Sequence, residues 1–169
     1  NMKTTTIDWQ EYGKIMEQCT AYCIKKRPSC RSPQLVADLI APLMEKHEGQ
    51  EAVYLLALNA RMELIGAPQL LTLGTSDMSL ICPRDIFRNA LEMNATGIII
   101  AHNHPSGTRK PSLPDLQATK KVEEAGRMIG IPLYDHVIIP MPYSGDYCSL
   151  RAEKYLTGKD VTMKEEKSK

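Results

Sequence analysis

Two histidines, a serine and an aspartate could do chemistry together in this chain. They stand in Ala101-His102-Asn103-His104-Pro105-Ser106-Gly107 and, further on, Ser112-Leu113-Pro114-Asp115. The apolar run Gly97-Ile98-Ile99-Ile100-Ala101 leads straight into the histidines, and such a run reads as a strand buried on both faces. Residues i and i+2 of a strand share a face. His102 and His104 therefore project together where the strand ends, and Pro105, Ser106 and Gly107 turn the chain away. Asp115 is the nearest third ligand. It falls in the first turn of a helix capped by Ser112, with Pro114 where a missing N–H costs little. Two neutral imidazoles and one carboxylate leave a tetrahedral Zn2+ one open position for water. A metal held this way lowers the pKa of its water from about 15.7 to about 7 and polarises carbonyls, which is hydrolytic chemistry.

Each residue also has a plainer use. Ser112 and Asp115 form an ordinary capping box, and two strand-end histidines can be satisfied by backbone groups. The full order of strand, His-x-His, glycine turn, Ser-x-x-Asp and helix favours the metal.

His102-x-His104, seven intervening residues, Ser112, two residues and Asp115 match the signature of the JAB/MPN metalloenzymes, the JAMM-type zinc isopeptidases and peptidases. The text around it resembles the bacterial RadC-like branch: His-Asn-His-Pro-Ser-Gly, Gly74-Thr75 and Cys82-Pro83-Arg84-Asp85 before it, and Asp135-His136-Val137-Ile138-Ile139 after it. The resemblance covers about residues 33–151. It implies that His102, His104 and Asp115 bind Zn2+, that Ser112 assists the oxyanion, and that a glutamate from an early strand is the general base. It implies a peptide or isopeptide-bonded substrate, and the JAB/MPN, cytidine-deaminase-like architecture.

The base must reach the attacking water from elsewhere in the chain. Glu63, in Arg61-Met62-Glu63-Leu64-Ile65, lies on the expected second strand of a hairpin and is the first candidate; a solvated strand position is its plainer reading. Gln69 stands upstream of Leu73-Gly74-Thr75, about where some relatives supply an acid, and glutamine cannot take a proton. Glu92 follows the stripe Ile86, Phe87, Ala90, Leu91 by one position and reads as solvated. His136, at the start of a β-branched strand, is expected to pack or to support a ligand rather than to bind metal itself.

The elements that position these residues alternate. A helix is expected over 8–26, closed by Lys25-Lys26-Arg27-Pro28. Ser32-Pro33 opens a second with the stripe Leu35, Val36, Leu39, Ile40, Leu43, which Pro42 should kink or end. Strands are expected over 51–58, from 63–65 as the hairpin return, and over 70–73. A helix over 83–93, the histidine strand, a helix over 115–129 with Ala118, Val122, Ala125 and Ile129 at helical spacing, and a strand that follows Pro132 and runs through Ile139 come next. Residues 147–150 close the sheet. This predicts an α/β three-layer sandwich, a mixed β-sheet flanked by helices. A helical extension over 1–31, a metal-binding domain over 32–151 and a polar tail over 152–169 complete the expected organisation, the last six residues disordered.

Composition bounds the function. With 169 residues, 43% of them apolar, the chain can bury one sizeable core, and a net charge of +1 argues against strong nucleic-acid binding. Arg109 and Lys110, beside the site, either meet an anionic group or form a solvated loop. Five cysteines and no secretory segment argue against a disulfide framework and for the cytoplasm. No apolar run approaches the roughly 20 residues that span a bilayer, so no membrane partner is expected. Cys19 and Cys23 share a helix face with Tyr12, Ile15, Met16 and Tyr22, and no second pair completes a zinc finger with them and Cys30. Cys82 and Cys148 have no nearby histidine in sequence, against a cysteine protease. The His-x-Glu and Pro-Cys-x-x-Cys elements of zinc deaminases are absent. The first helix, with Trp9 beside its apolar face, covers the core or forms a homodimer contact. Two alternatives to the hydrolase stay open: a DNA-repair or nucleic-acid-processing protein, from the naming of the RadC-like branch, and a metal-binding module without catalysis.

Overall fold

Ser32 and Pro33 start the first of the described helices as their types require. Ser32 is extended (φ −130°, ψ 150°), and its side chain accepts from the Leu35 N–H at 3.3 Å. The structure is a computed structural model that describes residues 27–47, 49–74 and 81–156. The expected helix over 8–26, with Trp9, Tyr12, Cys19 and Cys23, and residues 157–169 of the expected tail lie outside the described residues.

Helix α1 (Pro33–Met44) buries Val36, Ala37, Ile40, Ala41 and Met44. The expected stripe is thus displaced, with Leu35 exposed, because small Ala37 and Ala41 let the helix lie close to the sheet. Pro42 does not end it. That residue and Asp38, whose carbonyl loses its helical donor, are both on the solvent side, where water can serve the free oxygen.

Among the described residues five strands form one mixed sheet in the order β2-β1-β3-β4-β5. They are β1 (Ala52–Leu58), β2 (Gln69–Leu73), β3 (Gly97–His104), β4 (Leu133–Pro140) and β5 (Cys148–Ser149). β1 runs antiparallel to β2 and β3, β3 is parallel to β4, and β4 is antiparallel to β5. The expected return strand at 63–65 is corrected to β2. Residues Glu63 and Leu64 make only isolated bridges, to Ser29 and Leu58, because Gly66 turns the chain with φ +65° before pairing resumes at Gln69.

Strands β1 and β3 are buried along their whole length. On one face Val53, Leu55, Ile98, Ile100 and Ile138 pack against Ile86, Phe87 and Ala90 of α2 (Pro83–Glu92) and Ala118 and Val122 of α3 (Leu113–Ile129). On the other face Tyr54, Leu56, Ile99, Val137 and Ile139 pack against α1. The result is the three-layer α/β sandwich expected. Leu156 is part of the first core, so the fold continues beyond 151. Among the described residues no helix is long and apolar enough to cross a membrane.

Helix α3 ends at Gly130 in the left-handed region (φ 82°). Inside it, Gly126 carries the tighter constraint: an added Cβ would lie 2.5 Å from the Ile131 carbonyl oxygen and 3.1 Å from the Phe87 ring. Alanine normally favours a helix over glycine by about 1 kcal/mol. Here Gly126→Ala is expected to destabilise by about 1–3 kcal/mol, because a backbone oxygen must move. Urea denaturation checks the sign.

Candidate metal centre

The parallel pairing of β3 with β4 and the packing of α3 on the sheet set the site. At the end of β3 the rings of His102 and His104 lie on one face, 4.7 Å apart between centroids. Helix α3 enters beside them through a capping box. The Ser112 side chain accepts from the Asp115 N–H at 3.2 Å, and the Ser112 N–H donates to Asp115 Oδ2 at 2.6 Å. The cap and the ligand set coexist, since Asp115 faces both histidines. Its Oδ1 lies 3.3 Å from His102 Nε2 and its Oδ2 lies 3.4 Å from His104 Nε2. The two Nε2 atoms are 2.9 Å apart. All three residues are buried, and together they could hold a metal ion.

The donor set fits a tetrahedral metal. Bonds of about 2.0–2.1 Å place two ligand atoms about 3.3 Å apart along a tetrahedral edge, matching the N···O separations of 3.3 and 3.4 Å, while the two Nε2 atoms at 2.9 Å stand closer than that edge. His104 Nδ1 lies 2.9 Å from the Thr108 carbonyl, which can only accept. Nδ1 therefore carries the proton, and Nε2 of neutral His104 offers a lone pair toward the cluster.

Electrostatics agree. Burial pushes the Asp115 carboxyl upward, but the imidazoles of His102 and His104 beside it and the bond from Ser112 outweigh burial and hold the group well below the usual carboxylate range. Burial lowers His102, and lowers His136 further, while for His104 the Asp115 carboxylate and the Thr108 carbonyl favour the charged ring by more than burial disfavours it, so its pKa is raised. For His102 and His136 the folded pKa lies below the unfolded value near 6.5. Their contribution to stability is complete above that value and is lost as pH falls below it, because the unfolded chain then binds protons the folded one refuses. His104 opposes this in the same range. His136, held well below its ordinary value, sets the balance, and metal-free protein is expected to melt at progressively lower temperature as pH drops from 7 to 5. Calorimetry over that range checks it.

The general-base expectation requires correction. Glu63 does not reach the site: it sits past the Leu58 end of β1, with its Oε2 accepting from Asn59 Nδ2 at 2.9 Å, while the histidines lie by the Ala52 end. Gln69 pairs opposite Leu55, and its side-chain amide donates to the Ala67 carbonyl. Glu92 is exposed, as expected. Among the described residues, the acid beside the cluster is Glu51. Val53 pairs with His102 in antiparallel register, so two residues earlier on the same face Glu51 comes beside His104. Its carboxyl is raised by burial, and the charges of His104 and Asp115 act on it in opposite directions.

Asn103, between the histidines, fixes the backbone around Glu51. Its Oδ1 accepts from the Ala52 N–H at 2.7 Å and its Nδ2 donates to the Gln50 carbonyl at 2.9 Å. The signal for Glu51 was an acid just before the first strand, on the face later shared by Val53, Leu55 and Ala57. Arg109 lies between Asp146 and Glu153, at 3.5 and 3.0 Å, so its charge is already matched. Burial pushes the Cys30 thiol up to about 11 and raises Cys148, as suits core cysteines.

The family model described as RadC-like JAB domain matches residues 30–155. A UPF0758 protein of Thermotoga maritima is 47% identical over 90 residues, 53% of this chain and 40% of that protein. One of Thermosynechococcus vestitus is 42% identical over 150 residues, 88% of this chain and 56% of its own length. One of Symbiobacterium thermophilum is 36% identical over 133 residues, 79% of this chain and 55% of its own. The chain thus spans about half the length of these relatives. The matched region contains every strand and helix described above and all of the His102, His104, Asp115 cluster, and the chain belongs to the RadC-like JAB domain family.

Proposed function

We propose that this domain is a zinc-dependent hydrolase of the JAMM type, acting on an amide or isopeptide bond of a peptide substrate. The observation that carries the reading is the buried His102, His104, Asp115 cluster with a burial-raised acid, Glu51, beside it. His102 and His104 would hold the metal through Nε2 and Asp115 through its carboxylate. When bound, the zinc supplies Lewis acidity toward the carbonyl and acidifies water. Glu51 takes a proton from the attacking water and returns it to the leaving amine, a role its raised pKa suits. Ser112 Oγ accepts from the Asp115 N–H, which leaves its hydroxyl proton to donate to the developing oxyanion. Glu51 favours an enzyme over an inactive metal-binding module, and the matched charge of Arg109 favours a peptide over a nucleic acid.

A panel of fluorogenic peptides and isopeptide-linked dipeptides tests the reading. Turnover that stops on chelation and returns with zinc supports it. A zinc-loaded protein that cleaves none of the panel, or cleavage that ignores the chelator, argues against it.

A further inference from the structure

Behind the cluster a buried chain of hydrogen bonds has only one consistent direction. Thr119 Oγ1 lies 2.6 Å from the backbone carbonyl of Asp115 and 2.5 Å from His136 Nδ1. A carbonyl only accepts, so the single hydroxyl proton of Thr119 goes to Asp115. Toward His136 the hydroxyl oxygen must then accept, and His136 Nδ1 carries a proton. His136 is fully buried, and its side-chain partners are Thr119 and His102, neither of them anionic. No anionic group bonds to the ring to hold a second proton, so the ring is neutral and its Nε2 is bare. That Nε2 lies 2.7 Å from His102 Nδ1, which must therefore donate to it. His102 is left with its proton on Nδ1 and a lone pair on Nε2, the atom that faces Asp115 and His104.

We infer that Thr119 and His136 are positioning residues which hold His102 in its Nδ1–H tautomer and so set the affinity of the site for metal. Thr119 stands one helical turn after Asp115 on α3, and His136 lies on β4 beside β3. The chain of bonds therefore ties one ligand's helix to the other ligand's ring across three elements. Sequence reading placed His136 behind the ligands; Thr119 was hidden in an ordinary helical stretch. The affinity part rests on the zinc reading above, whereas the tautomer part does not.

The test uses the full chain with Thr119→Val, which keeps the shape and removes the hydroxyl, and Thr119→Ser, which restores it. Long-range 1H–15N spectra of the metal-free protein report the histidine tautomers. Competition with a chromophoric chelator gives the zinc dissociation constant. In wild type His102 is expected as the Nδ1–H form alone. Thr119→Val is expected to mix the two tautomers and weaken zinc binding about 10–100-fold, while Thr119→Ser stays close to wild type. A wild-type His102 protonated on Nε2 overturns the inference whether or not the variants fold. Unchanged zinc affinity in Thr119→Val also overturns it. If the wild type binds no zinc but shows the Nδ1–H form, the zinc reading fails and the affinity claim falls with it, while the tautomer assignment stands.

Discussion

Glu51→Gln is expected to keep its metal and lose its turnover. The amide is nearly isosteric with the carboxyl, and Glu51 precedes β1 on a backbone that Asn103 holds from both sides, so the exchange leaves the fold and the ligands in place. Glutamine cannot accept a proton, and removing a positioned general base costs roughly 10^2- to 10^4-fold in rate. The control is Glu63→Gln, at the far end of the strand and bonded to Asn59, whose turnover should match wild type. Rates measured on zinc-loaded proteins of equal metal content separate the two. A Glu51→Gln protein as fast as wild type would remove Glu51 from the mechanism, and a slow Glu63→Gln would restore the sequence expectation.

The second large effect concerns the ligands. His104→Ala removes one of three donors and leaves Asp115 facing His102 alone. Loss of a residue that only supports a ligand weakens metal sites about 10–100-fold, and loss of the ligand itself should exceed that. Thermal stability provides a readout independent of turnover. Zinc at about a hundred times its dissociation constant should stabilise the wild type by about 2.7 kcal/mol. At the same concentration the His104→Ala melting temperature should not move. An equal rise in both proteins would place the bound metal elsewhere.

The meeting of His102, His104 and Asp115 was legible because each step is local. A β-branched run gives a buried strand, period 2 puts both histidines on one face, and Ser112 with Pro114 starts a helix at a fixed distance along the chain. Glu51 was not legible in the same way. Its nearness to His104 depends on the antiparallel register of β1 against β3, a long-range pairing that no local pattern encodes. Choosing Glu63 assumed a hairpin tight enough to return at once, whereas the chain delays pairing until Gln69. The displaced stripe of α1 has a similar cause. Leu35 and Leu43 satisfy the period, but Ala37 and Ala41 allow the closer approach, and packing rather than hydrophobicity chose the face.

The most direct test of the metal centre is elemental analysis of the purified full chain after dialysis without chelator, beside Asp115→Ala. The geometry predicts close to one zinc per wild-type chain and almost none in the variant. A wild type that carries no metal even after zinc is added back, or an Asp115→Ala protein that carries as much, would contradict it.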